Sequence, residues 1–117
     1  MLLLLFFWGF GVACNQEDKA VFARKGNSFP ALFRSFGGLT VGKDAYVSRI
    51  QSEVGLSAAC AECYGAAYMC GWVNCKYSCI TAGISCDACL LQYKCISVCN
   101  KCTGFYYYFN SSYFLVI

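Results

Sequence analysis

Ten cysteines fall between Cys60 and Cys102, and none falls between Asn15 and Ala59. Thiols at that density are spent on crosslinks or on metal, so sulfur chemistry bounds what this stretch can fold into. The whole chain has 117 residues, which fits one small domain. Such a domain buries a limited core and gains most from covalent staples.

The ten divide into two strings of five. Cys60, Cys63, Cys70, Cys75 and Cys79 are separated by 2, 6, 4 and 3 residues, and Cys86, Cys89, Cys95, Cys99 and Cys102 by 2, 5, 3 and 2. Each string opens on a CxxC within helix-forming sequence, CAECYGAAYMC and CDACLLQYKC. At about 100° per residue, Cys60, Cys63, Ala67 and Cys70 share one helical stripe, and Cys95, Cys99 and Cys102 share another. Ser57 and Ser85 are placed to cap helices, with Asp87 suited to a first turn and Lys101 to a last one. Gly71, Gly83 and Gly104 read as helix stops. The expected fold is therefore mainly α: a small disulfide-stapled helical domain built from two five-cysteine helical-hairpin repeats. Five is odd, so full pairing needs a bridge between the halves. One nested scheme joins Cys63 to Cys75, Cys60 to Cys79, Cys89 to Cys99 and Cys86 to Cys102, with Cys70 to Cys95 crossing. It is one of about 945 pairings open to ten cysteines.

Metal is the competing use of the thiols. The pairs Cys60/Cys63, Cys86/Cys89 and Cys99/Cys102 have the spacing of zinc ligands. Their inserts (Ala-Glu, Asp-Ala, Asn-Lys) lack the Gly or Pro that bends a zinc knuckle, and the chain has no histidine. No βαβ pattern surrounds a CxxC as in a thioredoxin-like site. The chain's 21 aromatic residues have no role in a metallothionein cage. Disulfides are the expected state of all ten, with no metal and no cofactor.

The stretch LSAACAECYGAAYMCGWVNCKYSC and its echo CDACLLQYKCISVCNKCTG resemble the cysteine-rich repeats of uncharacterised secreted proteins of microbial eukaryotes and bacteria. More loosely they are similar to halocin-type bacteriocins, which crowd ten cysteines into a small helical domain. The second string departs from the halocin spacing. The resemblance implies a secreted, non-enzymatic helical domain and carries over no functional residue.

The flanks complete the organisation. Leu2 to Ala13 carries no charge and ends Gly11-Val12-Ala13, so residues 1–13 read as a signal peptide cut before Cys14. No Lys or Arg precedes the apolar run, and the alternatives are a buried terminal element or a lipoprotein cysteine at Cys14. Removing or modifying Cys14 would leave an even set. Residues 14–43 read as a flexible N-terminal segment or propeptide, with Arg24-Lys25 and Gly37-Gly38 as processing sites or as an exposed loop and turn. Residues 44–104 form the disulfide-rich helical domain, opening on a helix with Val47, Ile50 and Val54 inward and Arg49 and Glu53 outward. Residues 105–117 form an aromatic apolar tail, irregular or β-like, either paired within the domain or exposed to lipid or a partner. Asn110-Ser111-Ser112 is a glycosylation sequon.

The function expected is a secreted, extracellular binding or structural module without catalytic activity. There is no histidine, GxSxG or phosphate-binding glycine loop, and the six carboxylates are scattered. The partner is an extracellular protein or a membrane surface. A net charge of +3 does not point to nucleic acid. A membrane-active antimicrobial or toxin-like peptide released from a precursor is the first alternative. It is disfavoured because Lys76, Lys94 and Lys101 face Glu62 and Asp87 within the block. A cysteine-based metal-binding protein is the second.

Overall fold

A computed structural model describes residues 12–38, 40–81, 83–104 and 110–113. The described elements are helical: α1 Gln16–Lys25, α2 Phe29–Phe36, α3 Lys43–Arg49, α4 Ala58–Cys75, α5 Ile84–Gln92 and α6 Cys95–Thr103. Helix α3 runs on into a π-helical turn, Ile50–Val54, that ends at the left-handed Gly55. Helix α4 is the axis of the molecule, with α3, α5 and α6 packed along it.

The described residues of the stretch read as a flexible segment or propeptide over 14–43 are folded into the core. Two helices form there, and Phe22, Phe29, Phe33 and Phe36 are buried with Cys14. Phe33 is the hub: its ring lies 5.3 Å from Phe29, 4.9 Å from Tyr64 and 5.3 Å from Tyr113. Tyr46 stacks on Tyr68 at 4.0 Å. This aromatic core is closed from below by the short turn Ser111–Tyr113, which packs on α2.

The Gly37-Gly38 pair has a packing role. A Cβ on Gly37 would stand 2.7 Å from the Tyr68 ring, so only glycine lets the turn approach it. The Tyr68 hydroxyl accepts from the Gly38 N–H at 3.1 Å and lies 2.9 Å from the Val41 carbonyl, to which it can donate. Arg24-Lys25 occupies the exposed last turn of α1.

Helix α4 does not show the expected hairpin repeat. Gly71 does not stop it; the helix passes through and buries that glycine. Cys63 and Cys75 then lie twelve residues apart on one rigid helix, about 18 Å at 1.5 Å per residue. A disulfide spans at most about 6.8 Å between Cα atoms, so the nested pair Cys63–Cys75 is geometrically excluded. The two strings also fold differently: the first occupies one long helix and its exit turn, the second two short helices. Ser85 lies inside α5, and Gly83 stands at its N-cap. Ser57 does cap α4, accepting from the Cys60 N–H at 3.3 Å. Gly104 terminates α6 in the left-handed conformation.

Residues 1–11 of the signal-peptide reading, and 105–109 and 114–117 of the tail, lie outside the described residues. Of the tail, the described part is a single helical turn, with Tyr113 buried.

Candidate functional site

The bridges are Cys14–Cys60, Cys63–Cys102, Cys70–Cys95, Cys75–Cys89 and Cys79–Cys86. Cys70–Cys95 is the one pair shared with the nested scheme; Cys63–Cys75, Cys60–Cys79, Cys89–Cys99 and Cys86–Cys102 do not form. Four bridges are rungs of one antiparallel helical hairpin, in which α4 pairs with α5 and α6 in sequence. The two positions of each rung are equidistant, within a residue, from the turn between Thr81 and Gly83. Cα separations of 4.6 to 5.8 Å across these rungs fix the hairpin along its length.

The fifth bridge corrects the cysteine parity. Cys14 is not surplus: it crosslinks the N-terminal segment to the start of α4. The unpaired cysteine is Cys99, which the sequence leads one to expect in a bridge but which is a buried thiol. It stands in sequence between the rungs of Cys95 and Cys102, close enough to Tyr46 and Tyr64 to bear on their ionisation. Burial pushes the Cys99 thiol up to about 12, so at neutral pH it carries no thiolate to attack its neighbours.

Beside Cys14–Cys60 lies a polar clamp that sequence reasoning missed. Asp18 is buried, and its carboxylate accepts from the Asn15 N–H at 2.9 Å, the Ser57 N–H at 2.8 Å and the Ser57 hydroxyl at 2.7 Å. Asn15 in turn accepts from the Asp18 N–H, closing a capping box on α1. One aspartate thus satisfies donors at the starts of two helices. The spacing Asn15-x-x-Asp18 was the available signal. The sulfur and oxygen atoms of Cys14, Asp18 and Cys60 lie within 4.8 Å of one another. The two sulfurs are bonded to each other, and the carboxylate is held by three donors, so the cluster serves structure.

None of the CxxC pairs closes on itself. Cys60 and Cys63 reach different partners, as do Cys86 and Cys89, and Cys102 bridges while Cys99 does not. Asn110 sits in a local turn, its side-chain oxygen accepting from the Ser112 N–H at 2.8 Å. Near Tyr68, Thr40, Val41, Gly42, Met69 and Trp72 line a shallow groove of about 340 Å³. The Trp72 indole N–H donates to the Gly38 carbonyl at 3.3 Å on its floor.

The largest surface feature lies on the bridged lobe, formed by the C-terminal part of α4, α5 and α6. Seven of the eight exposed large hydrophobic side chains among the described residues fall between Val73 and Val98. Ile84 is 89% and Tyr77 81% exposed. On α5, Ile84, Ala88 and Leu91 share a stripe turned away from buried Cys86 and Leu90. An amphipathic helix normally buries such a stripe; here the disulfides hold the helix in place and leave it exposed. No described helix is long and apolar enough to cross a membrane.

Comparison of the chain with protein-family models, with curated proteins and with solved structures finds no match.

Proposed function

We propose that this chain is a secreted, extracellular binding module without catalytic activity, its cysteines structural and its contact surface the exposed face of the bridged lobe. The observation that carries the reading is the combination of five disulfides with an apolar face on helices those disulfides fix. Disulfides persist in oxidising compartments, which supports a working form outside the cytosol. An apolar patch on a rigid support loses little conformational freedom on binding, which favours contact. The reactive group that a thiol enzyme needs is a thiolate in reach of substrate; Cys99 is buried and protonated instead.

Non-reducing peptide mapping of the exported protein tests this. The expected map has the five bridges above, a mass ten hydrogens below the reduced chain, and Cys99 alkylated only after unfolding. Material that folds with its thiols free, or that carries chelator-removable zinc on them, would overturn the reading.

A further inference from the structure

We propose that the partner of the bridged lobe is an anionic lipid surface, met by the tip of the α4–α5 turn and the outer faces of α5 and α6. The proposal rests on the reading of that lobe as an extracellular contact surface and names what it contacts.

The shape of the surface is the first ground. Cys79–Cys86 clasps the ends of the turn, with Cα atoms 4.6 Å apart, so Ile80 and Ile84 project from one small tip. Tyr77 lies one turn before Ile80, and Leu91 continues the Ile84 stripe along α5. These side chains are 47 to 89% exposed. A row of exposed apolar groups suits a fluid interface that closes around it; a folded partner would need a matching trough. The groove lined by Thr40, Val41, Gly42 and Met69 meets this surface only at Trp72.

Composition agrees. Tyr77 and Tyr93 are exposed amphipathic rings of the kind that lodge at headgroup depth, and Trp72, five residues before Tyr77, is half-buried. The Lys76 ammonium lies 5.4 Å from the centroids of both the Trp72 and Tyr77 rings. A long lysine stem over aromatic surface can bury its methylenes and keep its charge at the headgroups.

Charge then selects the lipid. From Cys70 to Gly104 the basic residues are Lys76, Lys94 and Lys101, and the one acid is Asp87. Asp87 is half-buried in the first turn of α5, where the helix N-terminus favours a carboxylate. Glu62, which offsets the lysines when the cysteine block is counted by sequence, is paired with Lys43 at 2.8 Å on the far side of the hairpin's length. Lys94, Val98 and Lys101 share the outer stripe of α6. The face offered to a membrane is therefore apolar with a cationic border, complementary to anionic headgroups.

Cosedimentation of the oxidised protein with vesicles tests this, comparing phosphatidylcholine alone with phosphatidylcholine plus phosphatidylglycerol. The expected result is partition to the anionic vesicles at least about tenfold stronger, weakening as salt rises. I84E/L91E should lower it by about tenfold or more, since two exposed apolar side chains lose their burial. K94Q/K101Q should lower it by about fivefold per lysine and flatten the salt dependence. All four positions are exposed, and an unchanged bridge map shows each variant folded. Equal partition to both vesicle types, no partition to either, or indifference to I84E/L91E would overturn the proposal. So would a dimer by sedimentation equilibrium that I84E/L91E dissociates, which would make the face a self-interface. The contact-module reading fails separately, by the bridge map.

Discussion

The two ends of helix α4 are held by different physics. Its first half lies against an aromatic core in which Phe22, Phe29, Phe33, Phe36, Tyr46, Tyr64 and Tyr68 are buried. Its second half meets α5 and the start of α6, where the buried set is Cys75, Cys79, Cys86, Leu90, Cys95 and Ile96, while the end of α6 returns to the first half through Cys63–Cys102. Large side chains exclude water on one side; sulfur atoms replace them on the other. The difference teaches what a crosslink releases. A helix pinned by disulfides does not need its apolar stripe for folding, so α5 can turn Ile84 and Leu91 outward. The aromatic half has no such freedom.

Core truncations separate the halves most strongly. Phe33→Ala should cost about 3–5 kcal/mol, since five rings around it would line a cavity. Leu90→Ala, in the bridged lobe, should cost about 2 kcal/mol, the low end for that change. Denaturant unfolding of the oxidised proteins measures both, and equal costs would break the comparison.

Bridge deletions should follow loop length. Replacing Cys14 and Cys60 by serine reopens a separation of 46 residues, for which the chain-entropy model gives about 4 kcal/mol. Cys79 and Cys86 are 7 apart, and the same relation gives about 2 kcal/mol. The same unfolding curves show whether that order holds.

Alkali should act through groups buried where the halves meet. Burial pushes Cys99 from 9.0 up to about 12, and desolvation raises Tyr46 well above its ordinary 10.0. The unfolded chain ionises this thiol above pH 9 while the folded chain keeps its proton. Stability is thus intact below pH 9 and falls as pH rises toward about 12, by at most about 1.4 kcal/mol per unit from this thiol. Unfolding free energies measured from pH 8 to 11 should show a shallower decline in Cys99→Ala.

The smallest effect concerns Lys94, which joins α5 to α6 at φ 63°. A side chain there costs about 1–2 kcal/mol, and glycine loses part of that gain through unfolded-chain freedom. Lys94→Gly should stabilise the protein by about 0.5–1 kcal/mol, read as a rise in melting temperature.

Much of the bridged lobe was legible in the sequence. The helical stripes of Cys63, Cys70 and Cys95, the cap at Ser57, the stop at Gly104 and the inward face of Val47, Ile50 and Val54 all follow from local periodicity. The pairing was not legible, because it turned on whether Gly71 ends a helix. Glycine costs a helix only about 1 kcal/mol, and packing along α4 outweighs that. The role of Asp18 depends on Ser57, thirty-nine residues away, and no local pattern announces such a partner. Cys14 misled for the same reason: its mate is distant, and counting the dense block alone made it look surplus.

The central claim is that sulfur holds the bridged lobe while aromatic packing, stapled once by Cys14–Cys60, holds the rest. Hydrogen exchange by mass spectrometry on a variant with Cys75, Cys79, Cys86 and Cys89 all changed to serine tests it most directly. Protection should vanish across α5 while α1, α2, α3 and the first turns of α4 keep theirs. Retained protection in α5, or collapse of both regions together, would contradict it.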